Sequence, residues 1–376
     1  HLRQRSNHHC NSSDTTFDKD PFIIPIVPDT TFNKDPFILQ HQNTHQNTKR
    51  HMFDLDQVLL EGPPNGQLIT FIHGWPDDLH LWDSLVADLL ATNKYRCLRV
   101  TLPGYGDTTH PPHKIVDPDF HQVAALVAQA IQHHQHHAQE QSILIAHDWG
   151  SVVAFQLQRR FSHLIQQMIV MDVGPTDLEY TSGLKLAAGV VAMGLYYQWL
   201  NMLAYYLWRY VPVVGPTLGD AIHRFEVRRF KTFPNGEMHP NVNLNQSASS
   251  DYFYHYFQKE QFFRILHLQC LRGNGGSPLA KPPTGKNPSV PTLFLHGNHR
   301  GSLGKQFKPW SKALNARKDS DVVVLNGNHW FMLNSPKETS AAVINWLGLG
   351  KEGGKLNEGL KAQLLVNKRP LVGSKL

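Results

Sequence analysis

One carboxylate in the middle of the chain lies at a predicted sharp turn between a strand and a helix. The apolar run Ser142 to Ala146 predicts a short buried strand, and the run after Gly150 predicts a helix ending at Arg159-Arg160. Asp148 stands between them, with small residues two places to either side, which is typical of a nucleophile elbow. A carboxylate there can displace a leaving group from saturated carbon and form an ester, as in epoxide opening or dehalogenation. A simple helix-capping role for Asp148 is the alternative.

Two backbone N–H groups are predicted beside this carboxylate. The strand predicted from Gln67 to Ile72 runs into His73-Gly74-Trp75-Pro76-Asp77, a glycine- and proline-containing turn that could direct the Trp75 N–H out of the strand end. The Trp149 N–H, directly after the elbow, would be a second donor. Such a pair of donors can form an oxyanion hole.

A histidine on the last predicted loop could act as the base. His329 lies in Gly327-Asn328-His329-Trp330, after a strand predicted from Asp321 to Leu325 and before a helix predicted from Lys337 to Leu347. Ligands of parallel sheets bind at the carboxyl ends of the strands. His329 is therefore expected to meet Asp148 at that edge.

The elements that must position these residues alternate along the chain. Further strands are predicted at Arg96 to Thr101, Gln167 to Val170 and Pro291 to Gly297, and a helix at Phe120 to His134. This alternation predicts an α/β fold, a mostly parallel sheet with helices on both faces. From Pro175 to about Pro288 the sequence is helical and aromatic, which predicts a helical lid inserted over the site.

Changes in composition divide the chain into five predicted segments. The first is rich in His, Asn, Gln and Thr, contains short repeats and is predicted to be disordered. In order, the segments are this N-terminal segment at 1–50, the first part of the core at 51–174, the lid at 175–288, the second part of the core at 289–349, and a basic tail at 350–376.

Net charge and cysteine content exclude several classes of function. The net charge is +6, but residues 351–375 hold six basic residues against two acidic ones, so the body of the chain is nearly neutral. Nucleic-acid binding is therefore not expected. Three cysteines, far apart in sequence, favour a reducing compartment over disulfides or a cysteine metal site: Cys10, Cys97 and Cys270. The His-rich end of the helix at 120–134 is attributed to composition rather than to metal binding.

Two stretches bear on localisation. Ser374-Lys375-Leu376 is the tripeptide that the peroxisomal import receptor reads at a free C-terminus, which predicts a peroxisomal protein, or a cytoplasmic one if the signal is not used. The uncharged run from Leu186 to Trp208 is long enough to span a bilayer. Because Gln198 and Asn201 interrupt it and a soluble pattern surrounds it, a buried lid helix is the favoured interpretation, and membrane contact is considered unlikely.

The motifs around Trp75, Asp148 and His329, in this order about a helical insertion, resemble the α/β-hydrolase superfamily, and within it the epoxide hydrolase and haloalkane dehalogenase branch. The resemblance covers about Gln67 to Leu347. It implies Asp148 as nucleophile, His329 as the base that activates water against the ester, and Trp75 and Trp149 as oxyanion donors, without metal or organic cofactor.

The resemblance breaks down at the acid that orients the histidine. Many members carry it after the strand matched here by Leu293 to Gly297, but the following residues, Asn298 to Lys305, include no carboxylate. Other members carry the acid after the strand that follows the elbow helix. Asp172 occupies that place and is predicted as the orienting acid, with Asp177 as a fallback.

The leaving group separates the two candidate reactions. A departing alkoxide needs a proton, which a tyrosine hydroxyl with a pKa of about 10 can supply, whereas a halide needs only N–H donors. Related epoxide hydrolases use two lid tyrosines, and Tyr197 and Tyr254 are predicted to bind an apolar epoxide here. Many dehalogenases carry Asn at the place of Trp75, so epoxide hydrolysis is favoured. Haloalkane dehalogenation and a non-catalytic binding protein with an impaired site remain alternatives, and the lack of a G-x-S-x-G elbow disfavours a serine esterase.

Overall fold

A seven-stranded sheet forms the centre of the protein. The computed structural model describes residues 55–106, 118–175, 197–231, 238, 246–256, 288–299 and 302–366. All of them belong to one compact unit, Leu39–Leu376. The strands are β1 (Gln57–Glu61), β2 (Gln67–Ile72), β3 (Tyr95–Thr101), β4 (Ser142–His147), β5 (Ile165–Met171), β6 (Thr292–Gly297) and β7 (Asp321–Leu325).

The strand order across the sheet is β1-β3-β2-β4-β5-β6-β7. Only β1 is antiparallel to its neighbour, pairing with β3, and the other pairs are parallel. The central strand β4 is buried at all six positions, as expected when helices cover both faces of a parallel sheet. The predicted mostly parallel sheet is confirmed.

The described α-helices follow and separate the strands. They are α1 (Asp83–Ala91), α2 (Phe120–His134), α3 (Trp149–Arg160), α4 (Trp199–Tyr210), α5 (Gly215–Phe230), α6 (Lys308–Asn315), α7 (Phe331–Asn334), α8 (Pro336–Leu347) and α9 (Glu358–Val366). Short 3₁₀ helices span Leu79–Trp82, Ser162–Leu164, Ala248–Asp251 and Gly304–Phe307.

Two apolar layers cover the sheet because side chains of a strand alternate between its faces. On one face Leu68 and Ile72 of β2 pack with α2 and α3. On the other, Ile69 and Phe71 of the same strand pack with α1, α8 and α9. The sheet is therefore the middle of three layers, and its strand ends are held firmly enough to support a site.

Between β5 and β6, the described residues with regular structure are mainly helical. We define the helical insertion as residues 197–231 and 246–256. Its helices α4 and α5 pack very closely, since a Cβ added at Gly219 would lie 2.5 Å from the Ala204 carbonyl oxygen. No helix within the described part of the chain is long and apolar enough to span a membrane.

Several elements were not predicted from the sequence, among them β1, α6, α7 and α9. Strand β1 is half exposed at the sheet edge and carries no clear alternation. Helix α6 follows a loop without a strong signal. Helix α9 lies inside the segment predicted as a basic tail, yet Leu364 is buried and Lys361 Nζ donates to Asp321 Oδ1 at 2.8 Å. Part of that segment thus packs on the core, while the domain boundaries as a whole stay predictions.

Candidate active site

Asp148 occupies a strained turn between β4 and α3. Its backbone has φ 52° and ψ −125°, a combination that non-glycine residues rarely adopt, and strain of this kind costs about 1–3 kcal/mol. A Cβ at Gly150 would lie 2.3 Å from the Ile72 carbonyl oxygen, and one at Gly74 would lie 2.6 Å from the Asp148 carboxylate. Two glycines are therefore needed for this close approach. The Asp148 side chain makes no capping hydrogen bond, so the capping alternative is not supported.

The Asp148 carboxylate accepts a hydrogen bond from one backbone N–H group and lies near a second. Trp75 N–H donates to Asp148 Oδ2 at 2.9 Å. Trp149 is the first residue of α3, so its N–H has no acceptor within the helix. A Cβ at Gly74 would lie 2.7 Å from Trp149 N, which shows that the two loops meet here.

His73 holds the loop that carries Trp75. Its Nε2 accepts a hydrogen bond from Leu102 N at 2.9 Å, so the ring proton is on Nδ1, which lies 2.9 Å from the Gly74 carbonyl oxygen. Complete burial lowers the pKa of His73, which favours this neutral form. The His73 ring thus links the end of β2 to the end of β3.

His329 lies between two carboxylates. Its Nε2 is 3.4 Å from Asp148 Oδ1 and its Nδ1 is 2.7 Å from Asp172 Oδ2. Burial alone would lower the pKa of His329, but hydrogen bonds and charge attraction from both carboxylates raise it to about 10. The imidazole is consequently protonated at neutral pH.

Asp172 is fully buried at the end of β5 and is surrounded by donors. Besides His329, it accepts hydrogen bonds from Leu303 N at 2.7 Å, Gly304 N at 3.3 Å and the Ser302 hydroxyl. Burial raises the pKa of Asp172, but these hydrogen bonds and the His329 charge outweigh it and lower the pKa. The segment that lacks an acid thus supplies donors to the acid on the neighbouring strand. The fallback Asp177 lies outside the described residues.

Two tyrosines of the helical insertion lie beside the carboxylate. The rings of Tyr197 and Tyr254 are 5.3 Å apart, and Tyr254 packs edge-on against Trp75 at 5.5 Å. Burial and then the negative charge of Asp148 raise the pKa of Tyr197. Burial, Tyr197 and Asp148 raise the pKa of Tyr254. Both phenols keep their protons at neutral pH.

A second buried network of hydrogen bonds, which the sequence did not reveal, connects the helical insertion to the loop that carries His329. Asp77 Oδ1 accepts from Lys231 Nζ, and its Oδ2 accepts from Trp330 Nε1 at 2.9 Å. His147 Nε2 donates to the His329 carbonyl oxygen at 3.0 Å, and burial followed by the His329 charge lowers the pKa of His147 to about 4. Asp77 and His147 belong to the sequence motifs of the site, but nothing in the sequence pointed to Lys231.

The loop that carries Trp75 is also hydrogen-bonded to the helical insertion. Trp75 Nε1 donates to Asp251 Oδ1 at 2.9 Å, and His223 Nδ1 lies 3.0 Å from both oxygens of that carboxylate.

Among the described residues, no group of three or more His, Cys, Asp or Glu side chains is arranged to hold a metal ion.

Comparison with known proteins bears on this geometry. A family model described as α/β hydrolase fold matches residues 67–336. Epoxide hydrolase 3 of Xenopus tropicalis is 20% identical over 77% of this chain and 73% of its own length. A haloalkane dehalogenase of Mesorhizobium japonicum is 27% identical over 29% of this chain and 33% of its own length. The resemblance inferred from the motifs is confirmed.

Other matches cover only part of the relative or have low sequence identity. The chain matches less than a third of the length of two epoxide hydrolases of Caenorhabditis elegans. The crystal structure of epoxide hydrolase A of Mycobacterium thermoresistibile is 16% identical, with a TM-score of 0.53 over 80% of this chain and 95% of that one. At this identity the structural likeness concerns the fold alone.

Proposed function

This chain belongs to the α/β hydrolase fold family, and we propose that it is a hydrolase that opens epoxides to vicinal diols through an ester on Asp148. The observation that carries this proposal is the strained placement of the Asp148 carboxylate between the Trp75 N–H and His329. A carboxylate at an elbow is a nucleophile for saturated carbon.

In the proposed first step, Asp148 Oδ1 attacks an epoxide carbon and the C–O bond of the ring breaks. Trp75 N–H holds Oδ2, which becomes the ester carbonyl oxygen, and leaves Oδ1 to attack. The rings of Tyr197 and Tyr254 lie 5.3 Å apart near Asp148, and both phenols are protonated, so they can donate a proton or hydrogen bonds to the departing oxygen.

Formation of the ester would also lower the pKa of His329, so that it can act as a base. A histidine with a pKa of about 10 cannot accept a proton at neutral pH. The ester carries no charge, so one of the two carboxylates that stabilise the imidazolium is lost and the pKa of His329 falls. Asp172 remains to hold the Nδ1 proton, which leaves Nε2 to accept a proton from water.

In the second step, this activated water attacks the ester carbonyl carbon of Asp148. Negative charge develops on Oδ2, to which Trp75 N–H already donates, and the Trp149 N–H at the start of α3 is the second donor that we propose for it. Each such donor is typically worth about a hundredfold or more in rate. Collapse of this intermediate breaks the bond between the Asp148 carboxyl carbon and the alkyl oxygen. The alkyl oxygen takes the proton that His329 removed from water and leaves as a hydroxyl of the diol. Asp148 keeps one oxygen from water, and its carboxyl proton returns to His329.

A single-turnover experiment in ¹⁸O-water tests both steps. A styrene oxide-type substrate should yield the diol and put ¹⁸O into the peptide that contains Asp148, because the ester is hydrolysed at the enzyme carbon. Asp148→Asn should form no diol, and circular dichroism should show that it is folded. Diol formed with ¹⁸O only in the product would refute the ester.

Dehalogenation is the second candidate because the same carboxylate can displace halide. The two protonated phenols beside Asp148 favour an oxygen leaving group over a halide. Bromide release from bromoalkanes by the wild type, without diol formation from epoxides, would favour dehalogenation. The hydrogen bond between Asp172 and His329 removes the main argument for a non-catalytic member.

We further propose that the protein is imported into peroxisomes through Ser374-Lys375-Leu376, which lie outside the described residues. A fluorescent protein fused in front of the last ten or so residues should reach peroxisomes, and deletion of the tripeptide should leave it in the cytosol. A cytosolic signal for both fusions would contradict this.

A further inference from the structure

One face of helix α4 is apolar and exposed. The exposed residues are spaced i, i+4, i+7 and i+11, so they form a single stripe on a helix with 3.6 residues per turn. They are Trp199, Leu203, Tyr206 and Tyr210. The opposite face, with Ala204 and Trp208, is buried. An ordinary surface helix of a soluble protein has a polar outer face, so this stripe needs an explanation.

The stripe continues into the turn between α4 and α5. Val211, Val213 and Val214 are all exposed, Val213 by 91%. Leu218, in the first turns of α5, is also exposed. We call Tyr210, Val211, Val213, Val214 and Leu218 the apolar tip.

The apolar tip cannot fold back between the helices. A Cβ at Gly215 would lie 2.1 Å from the Leu207 carbonyl oxygen, so the two helices already touch at the backbone. Val213 also has φ 66°, a conformation that β-branched residues strongly disfavour. Because Val213 is exposed, its side chain gains no burial from this conformation, which is consistent with a role at the surface.

The exposed charged side chains along helices α4 and α5 are positive. Arg209 adjoins the apolar tip, whereas the well-exposed Arg228 and Arg229 lie at the other end of α5, where Arg229 is also 3.7 Å from Glu226. The two acids of the same stretch are used internally. Asp220 accepts from Ser247 Oγ at 2.8 Å, and Glu226 is buried. The outer surface of this pair of helices thus combines apolar side chains with a cationic surround.

We propose that the outer surface of α4 and α5, with the apolar tip at its end, docks on an anionic phospholipid surface. Trp and Tyr favour the headgroup region of a bilayer, valine and leucine the acyl boundary, and arginine the negative headgroups. A second copy of the chain is a poorer partner, because a symmetric contact would bring the two sets of arginines together. From the sequence alone, membrane contact was considered unlikely, because the sequence could not show that an apolar face of α4 is exposed.

Docking along the exposed face of α4 would bring the site close to apolar compounds dissolved in the bilayer, because the whole length of the helix would lie on the surface. The same insertion supplies Tyr197 at one end of α4 and the apolar tip at the other. The proposal does not depend on the reaction, because membrane binding can be measured without any substrate.

Co-sedimentation with phospholipid vesicles tests this docking. Phosphatidylcholine vesicles with about 30% phosphatidylserine should pellet the full chain, pure phosphatidylcholine should pellet much less, and salt should weaken the binding. The variant Tyr210→Asn/Val213→Asn should bind at least about tenfold more weakly. Asn tolerates positive φ, so this variant should unfold at no lower temperature.

A matched control is available on α9. Leu365 is 39% exposed and far from the insertion in sequence, and Leu365→Asn should bind vesicles like the wild type. Three results would overturn the proposal: no binding of the wild type to the anionic vesicles, equal binding of the tip variant and the wild type, or a dimer in solution that the tip variant dissociates.

Discussion

Replacing Asp148 by Asn should lower the pKa of His329, because the amide keeps the shape of the carboxylate and removes its charge. The Asp148 Oδ1 to His329 Nε2 distance is 3.4 Å. At an effective dielectric constant of about 20, two unit charges at that distance attract by about 5 kcal/mol, equivalent to a pKa change of about 3.5. Since relaxation and water reduce this upper limit, we expect the pKa to fall by about 2 to 3 from its value of about 10, towards neutrality.

NMR titration of the imidazole rings measures this change directly. The protein has 24 histidines, so the signal of His329 must be assigned by its absence in His329→Gln. Asp83→Asn serves as control, because Asp83 pairs with Arg99 on another part of the surface. If the pKa of His329 were the same in the wild type and in Asp148→Asn, ester formation could not release the base, and the proposed order of steps would be wrong.

Three further results are expected. Asp172→Asn should lower kcat by at least about a hundredfold while the protein stays folded, because His329 loses the acceptor that fixes its Nδ1 proton; unchanged kcat would point to another acid. Lys231→Met should lower the free energy of unfolding in urea by about 3–5 kcal/mol, because the buried Asp77 carboxylate loses its cationic partner. Adding Asp77→Asn to this variant should recover part of the loss. The stabilisation that His329 contributes relative to His329→Gln should be complete below pH 6.5 and should disappear as the pH rises through about 10, because folding raises its pKa; a difference that grows with pH would contradict this.

The sheet, and the placement of the candidate site residues at its strand ends, could be predicted from the sequence for a physical reason. Strands buried on both faces and helices with one apolar face carry strong periodic signals, and the site residues follow directly from the strand ends. Strand β1, half exposed at the edge, carries little of that signal. The Lys231 to Asp77 pair joins residues 154 positions apart, and no local pattern encodes such a contact. The exposed face of α4 was equally hidden, because hydrophobicity alone does not say on which side a helix is covered.

The position of the acid illustrates how much freedom the sheet allows. Strands β5 and β6 are neighbours, so their carboxyl ends lie about 5 Å apart. An acid at either end can therefore reach Nδ1 of the same histidine. Here Asp172 follows β5, and the loop after β6 turns its Leu303 and Gly304 N–H groups toward that carboxylate instead of supplying one. Relative to an arrangement with the acid after β6, the loop after β5 supplies the acid and the loop after β6 supplies the N–H donors. The position of His329 next to Asp148 does not depend on which loop carries the acid.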